Sequence, residues 1–181
     1  MTLPTRDEAQ KLLEEHVTDE YQRYHAKMVA TAMEGYGKHL GEDVEVWYLT
    51  GLLHDIDFEK HPDAHPGESL KWFKEWDYPD EMIHAVEAHA YGYNGFTTEP
   101  ASKLAAGLLA CDEMSGIFYA YHKLNPVPYK DMKASSLKKR FNEKSFAAKI
   151  DRDTIMRGCN MLGINIDTHA ANMISFFDGL K

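Results

Sequence analysis

Apolar positions along the chain recur at intervals of three and four, the spacing that gathers side chains on one face of an α-helix. The first run, Ala9, Leu12, Leu13 and Val17, follows Thr5 and Glu8, which occupy the two positions of a reciprocal helix cap. A second helix is expected from Thr18 or Asp19 to about Gly37, with Tyr21, His25, Met28 and Ala32 facing inward. After Gly41 a third runs from Glu42 to about His54 through Val46, Trp47, Leu49, Thr50 and Leu53. Asp63 is placed to cap the next, with Pro66 in the first turn and Leu70, Phe73 and Trp76 inward. Pro79-Asp80 opens another helix, on which Met82, Val86 and His89 share a face and His84 lies elsewhere. Residues from Tyr91 to Pro100, rich in Gly, Thr and Asn, read as a loop. Ser102 then starts a long helix to about His122, with Leu104, Ala105, Leu108, Asp112, Ser115 and Tyr119 in one stripe, and Asn125-Pro126-Val127-Pro128 ends it. Two amphipathic helices close the chain, around Ile155, Cys159 and Leu162, then Ala171, Ile174, Phe177 and Leu180. With no strand-like alternation of useful length, repeat or linker, the pattern predicts an all-α, compact helical bundle, residues 1–181 forming a single domain.

Composition narrows the function classes. A formal charge of −9 argues against a nucleic-acid partner, which calls for a basic surface. Lys130 to Lys149 departs from this balance, with seven basic residues against two acidic. It reads as a solvated surface segment with one or two helical turns, or alternatively as a wall that attracts phosphate. No stretch approaches the ~20 apolar residues needed to span a bilayer, and no leader is seen, so neither membrane nor secretion is expected. Cys111 and Cys159 are far apart and lack a CxxC spacing, so they read as small core residues in a reducing, cytoplasmic compartment.

The candidate chemistry is a set of imidazoles and carboxylates at inward positions or helix ends: His25, His54, Asp55, His65, His89 and Asp112. They come from five helical elements, which a bundle can converge on one interior point. Asp112 is the most telling, because an unpaired carboxylate on an apolar face needs a cation or several donors. Four imidazoles with two carboxylates suit Mn, Fe, Co, Ni or Zn better than Mg or Ca.

The order His25, His54-Asp55, His65, His89, Asp112 resembles the HD superfamily of metal-dependent phosphohydrolases. Leu53-His54-Asp55-Ile56-Asp57 is similar to the HDIG variant of its motif, with Asp57 where Gly is usual. His65-Pro66-Gly67, Ile83 to His89 and Asp112-Glu113 look like the later elements. The likeness covers a metal-binding core of about residues 20–120 and, through Ser136 to Ala147, a helical extension over about 130–181 found in a subgroup of small HD proteins. The Gly-Tyr-Pro signature of cyclic-dinucleotide phosphodiesterases is absent after His89.

The resemblance implies that His25, His54, Asp55 and Asp112 bind one divalent ion, with Asp55 placed to bridge if a second is held by His65 and His89, so that one or two ions are expected. His61 or His84 is an alternative or an accompaniment to those two. The implied activity is hydrolysis of a small phosphate ester or nucleotide by an activated water. Asp57, Glu59 or Glu113 is the candidate to relay a proton, and Lys138, Lys139 or Arg140 to grip the phosphate. Two other classes use the same scaffold: a di-iron oxygenase and a non-catalytic nucleotide-binding module. A homo-oligomer is compatible with all three.

Overall fold

A computed structural model describes residues 3–180. Among them every regular element is helical: α1 (Arg6–His16), α2 (Glu20–Leu40), α3 (Val44–Leu53), α4 (Gly67–Glu75), α5 (Asp80–His89), α6 (Lys103–Leu124), α7 (Ala134–Asn142), α8 (Arg152–Met161) and α9 (Ile166–Phe176). Short 3-10 turns lie at Tyr129–Asp131 and Phe177–Gly179. The expected all-α class is the observed one. Among the described residues no helix is long and apolar enough to cross a membrane.

Side-chain caps fix most of the helix starts. Thr5 and Glu8 close the reciprocal cap on α1, and Asp19, Asp43, Ser102, Asp151 and Asn165 cap α2, α3, α6, α8 and α9. Two ends lie beyond their expected places. α2 continues past Gly37 to Leu40 and stops at Gly41, whose φ of 70° is the left-handed conformation that glycine adopts without a Cβ penalty. Gly37 instead lets the Trp47 side chain approach. α6 also runs on, to Leu124.

α6 is the central rod. Every residue from Leu104 to Cys111 is buried, because α2, α5 and α8 surround it. Small residues set the closest approaches. A Cβ on Gly51 of α3 would stand 2.8 Å from the backbone of Ala30 in α2, and one on Gly158 of α8 would stand 2.5 Å from the Ala110 nitrogen. One hydrophobic cluster runs through all of this, from Ala9 to Phe177. The free thiols Cys111 and Cys159 are both buried within it.

The last helix departs from the expected face. His169, Ala170 and Met173 point inward, with Phe177 just beyond, whereas Ala171 is exposed. The reason is a polar anchor that an apolar count overlooks. His169 accepts the Tyr36 hydroxyl proton at Nδ1 (2.6 Å) and donates from Nε2 to the Ala110 carbonyl (2.9 Å), tying α9 to α2 and α6.

Burial pushes the His169 pKa down to about 4 from its ordinary 6.5, against the pull of the Ala110 carbonyl. The unfolded chain therefore takes up a proton that the fold refuses, and the stabilisation is complete above pH 6.5 and lost as pH falls toward 4. The loss is on the order of 3 kcal/mol. Urea denaturation should show the wild type losing more stability than His169→Gln between pH 7 and pH 4.5; parallel losses would exclude this role.

Candidate metal centre

α3 ends at Leu53, and residues 54–66 follow as a chain of turns. His54, still helical in its backbone at the C-cap, and Asp55, in the turn after it, come just where α2, α5 and α6 present His25, His89 and Asp112. Apolar Ile56, fully buried, anchors the strip between the polar groups.

The protons on the histidines are fixed from behind. His54 Nδ1 donates to the Gly51 carbonyl (2.8 Å), His89 Nδ1 to the Val86 carbonyl, and His65 Nδ1 to Asp57 Oδ1 (2.6 Å). A carbonyl or carboxylate oxygen only accepts, so in each neutral ring Nε2 is left as a bare lone pair. Those three lone pairs point the same way. His65 Nε2 and His89 Nε2 are 3.2 Å apart, and each is 3.3 Å from Asp55 Oδ1. His54 Nε2, buried and without a hydrogen-bond partner, lies 3.3 Å from Asp55 Oδ2 and 3.5 Å from Asp112 Oδ1. His25 Nε2 is 2.9 Å from the same Asp112 oxygen.

Lone pairs facing carboxylate oxygens repel unless a positive charge sits among them. His25, His54 and Asp55 offer atoms within 4.8 Å of one another, as do Asp55, His65 and His89. These groups can hold a metal ion, and the nitrogen–oxygen donor set fits a borderline divalent one. Asp55 turns one oxygen toward each group.

The titration shifts express the same demand. Burial disfavours a charge on His54, yet Asp55 and Asp112 outweigh it and hold its pKa well above the ordinary value. Burial likewise opposes ionisation of Asp112, but His54 and His25 keep it below the usual carboxylate range. A proton on His54 is thus a substitute for a cation, and the two compete for one lone pair.

The remaining candidates separate. Glu113 lines the cleft beside Asp112, and burial, then the Asp112 charge, pushes its carboxyl up to about 8. Asp57 does not face the cleft. It is fully buried behind His65, with Oδ2 accepting from the Glu68 and Ser69 amides. It thereby caps α4, the task expected of Asp63, because the turns of 54–66 fold Asp57 back over the helix start. Glu59 is also turned away, accepting from the Thr18 and Asp19 amides and the Thr18 hydroxyl at the start of α2. Proton relay by Asp57 or Glu59 is therefore corrected to positioning and capping.

Lys138, Lys139 and Arg140 are not brought to the cleft. α7 buries Leu137 and Phe141, which turns the intervening cations outward; Lys138 pairs with Asp167 (2.5 Å) and Arg140 with Glu143 (2.7 Å). His61 packs near Trp72 and His84 Nε2 meets the Glu99 carbonyl, so neither reaches the centre.

The cleft, of about 720 Å³, also has walls that the sequence reading missed: Tyr91, Tyr93, Gly116, Ile150 and Thr154. Asp151 followed by Thr154 does signal a helix cap, but nothing in the local pattern places that cap opposite α6.

A model of the HD domain family matches residues 23–117, just over half of the chain, from α2 to α6. No curated protein and no solved structure gives a match.

Asp57→Ala removes the acceptor that orients His65. Loss of such an outer partner costs roughly 10- to 100-fold in metal affinity. Competition against a chromophoric chelator should show that loss on the His65–His89 side, with sites involving His25, His54 and Asp112 retained. Unchanged binding would discard the positioning role.

Proposed function

The chain belongs to the HD domain family, and on that premise we propose that it is a metal-dependent phosphohydrolase acting on a small phosphate ester. The observation that carries the reading is the convergence of three bare imidazole nitrogens on the two oxygens of Asp55. His25, His54, Asp55 and Asp112 hold one divalent ion in this proposal, and His65 and His89 share Asp55 with a second. Mn, Fe, Co, Ni or Zn suits the donor set. When bound, such an ion makes a nucleophile available from water near neutral pH and draws charge from a phosphoryl oxygen.

The side chains divide the remaining work. Asp55 and Asp112 hold negative charge against the imidazoles. Asp57 keeps His65 in the tautomer with a free Nε2. Glu113, in the cleft and beside Asp112, is the group that would hand a proton from its carboxyl to the departing alkoxide oxygen. Tyr91 and Tyr93, from the loop after α5, narrow the entrance and limit the access of bulk water.

A second reading is a di-iron oxygenase, in which two adjacent ions would share Asp55. Metal content of anaerobically purified protein, with oxygen uptake and phosphate release measured in parallel, separates them. A nucleotide bound tightly without turnover would point instead to a binding module.

Asp112→Ala should abolish both metal binding and phosphate release in a broad phosphate-ester screen. A folded variant that keeps both would remove this centre.

Glu113→Gln should lower kcat on alkyl phosphates by roughly 10²- to 10⁴-fold, the range for losing a general acid. It should affect p-nitrophenyl phosphate far less, because that leaving group departs without a proton. Equal losses on the two substrates would rule out the assignment.

A further inference from the structure

The cleft does not end at the imidazoles. It adjoins a second hollow of about 330 Å³, and Tyr21, Gly116 and Ile150 form walls of both. Ala120 and Tyr119 of α6 line the hollow on one side and Ala147 and Ala148 on the other. Asp112, Gly116 and Ala120 recur every four residues, so a single face of α6 leads from the metal-ligand candidates to the far end of the hollow. That run is roughly 12 Å at 1.5 Å per residue.

Three features define what fits. Gly116 seats the Ile150 side chain, whose Cδ1 lies 2.5 Å from where a Cβ would stand, and these two residues with Tyr21 wall both hollows. The entrance is unusually apolar for exposed surface: Tyr21, Tyr91 and Tyr93, each 43–47% exposed, all border the cleft. Exposed rings gathered at one mouth, rather than scattered, mark a place where apolar matter binds. Third, among the described residues no Lys or Arg lines the main cleft, whereas Glu113 and Asp151 add negative charge beyond Asp55 and Asp112. Arg157, over the Tyr91 ring at 4.8 Å, is paired with Glu99, and Lys149 is exposed on the rim of the hollow, so neither cation is among the residues lining the main cleft, and a second or third phosphate would meet carboxylates there.

We infer that the substrate is a monophosphate ester of an apolar alcohol, its phosphoryl group at Asp55 and its alkyl or aryl tail passing Tyr21 and Ile150 into the hollow. This rests on the phosphohydrolase reading and narrows it: nucleoside di- and triphosphates are disfavoured. Ala120 determines specificity by leaving space in the hollow, Gly116 does so by seating Ile150, and Tyr21 covers the tail where the two hollows meet.

Alkylphosphonates test this without turnover, because their C–P bond is not an ester. Calorimetric titration of the metal-loaded protein with methyl-, butyl- and hexylphosphonate should show affinity rising with chain length. Full burial contributes about fourfold per methylene, so a partly open hollow should favour hexyl over methyl by roughly 30-fold or more. Gly116→Val should cut that preference by about tenfold or more by unseating Ile150. Ala120→Leu, which fills the hollow from its other end without touching Ile150, should cut it as well and guards against a folding defect in the first variant. Equal affinities for methyl and hexyl, no binding of either, or tighter binding of ADP than of hexylphosphonate would overturn the inference. The two readings fail distinguishably. Phosphate-ester hydrolysis with no chain-length preference overturns only this one, whereas a hexyl preference in a protein that hydrolyses no ester overturns the hydrolase and the ester substrate with it, leaving only the apolar tail site.

Discussion

The constraint on which the rest depends is the placement of hydrogen-bond acceptors behind the imidazoles. Two main-chain carbonyls, of Gly51 and Val86, and one carboxylate, of Asp57, each take the Nδ1 proton of a histidine, at 54, 89 and 65 respectively. Once those protons are committed, the Nε2 lone pairs have to point forward, and they meet Asp55 and Asp112. Such a cluster is unfavourable in isolation, so the fold must hold it against its own repulsion. It does so with rigid elements. Gly51 serves twice, since its missing Cβ lets α3 lie against α2 at Ala30 and its carbonyl fixes the His54 ring. The registration of His25 with His54 follows from that contact. Asp57 also serves twice, orienting His65 and starting α4, so the imidazole and its supporting helix form together.

Much of this was legible in the chain itself. Helical spacing puts His25, His89 and Asp112 among apolar neighbours, and the break after Leu53 puts His54 and Asp55 at a helix end; the structure brings all five together, four of them lining the cleft and His54 buried behind Asp55 and Asp112. Spacing reports which face a residue occupies, and these groups depend chiefly on face. Asp57 shows where that information stops. In sequence it is another acid near the His-Asp pair, and whether it looks into the cleft or away depends on how the turns of 54–66 fold back on α4. The cations of α7 were illegible for a similar reason. Net charge says that a segment is basic, but Leu137 and Phe141 decide its orientation, and they turn Lys138 and Arg140 toward Asp167 and Glu143. On α9 the error came from weighting apolar side chains alone, when a neutral histidine bonded at both nitrogens was the better buried residue.

The chain divides its labour along α6. The segment matched by the family, residues 23–117, contains every imidazole and carboxylate proposed to hold metal. The opposite wall, at Ile150, Asp151 and Thr154, lies outside that segment and arrives through α8, which packs on α6 at Gly158 and Ala110. The stretch matched by the family and the stretch that supplies the opposite wall are thus different, joined along one helix. Changes in the 147–154 segment can reshape the hollow without disturbing the acceptors behind His54, His65 and His89, because none of those acceptors belongs to it. The reverse does not hold. A shift of α6 moves Asp112 and Gly116 together, so the imidazole end of the cleft and the adjoining hollow are mechanically one piece. Specificity in such an arrangement adapts most freely through the C-terminal wall, where a side chain can grow or shrink by a methyl group and leave the charges around Asp55 as they are.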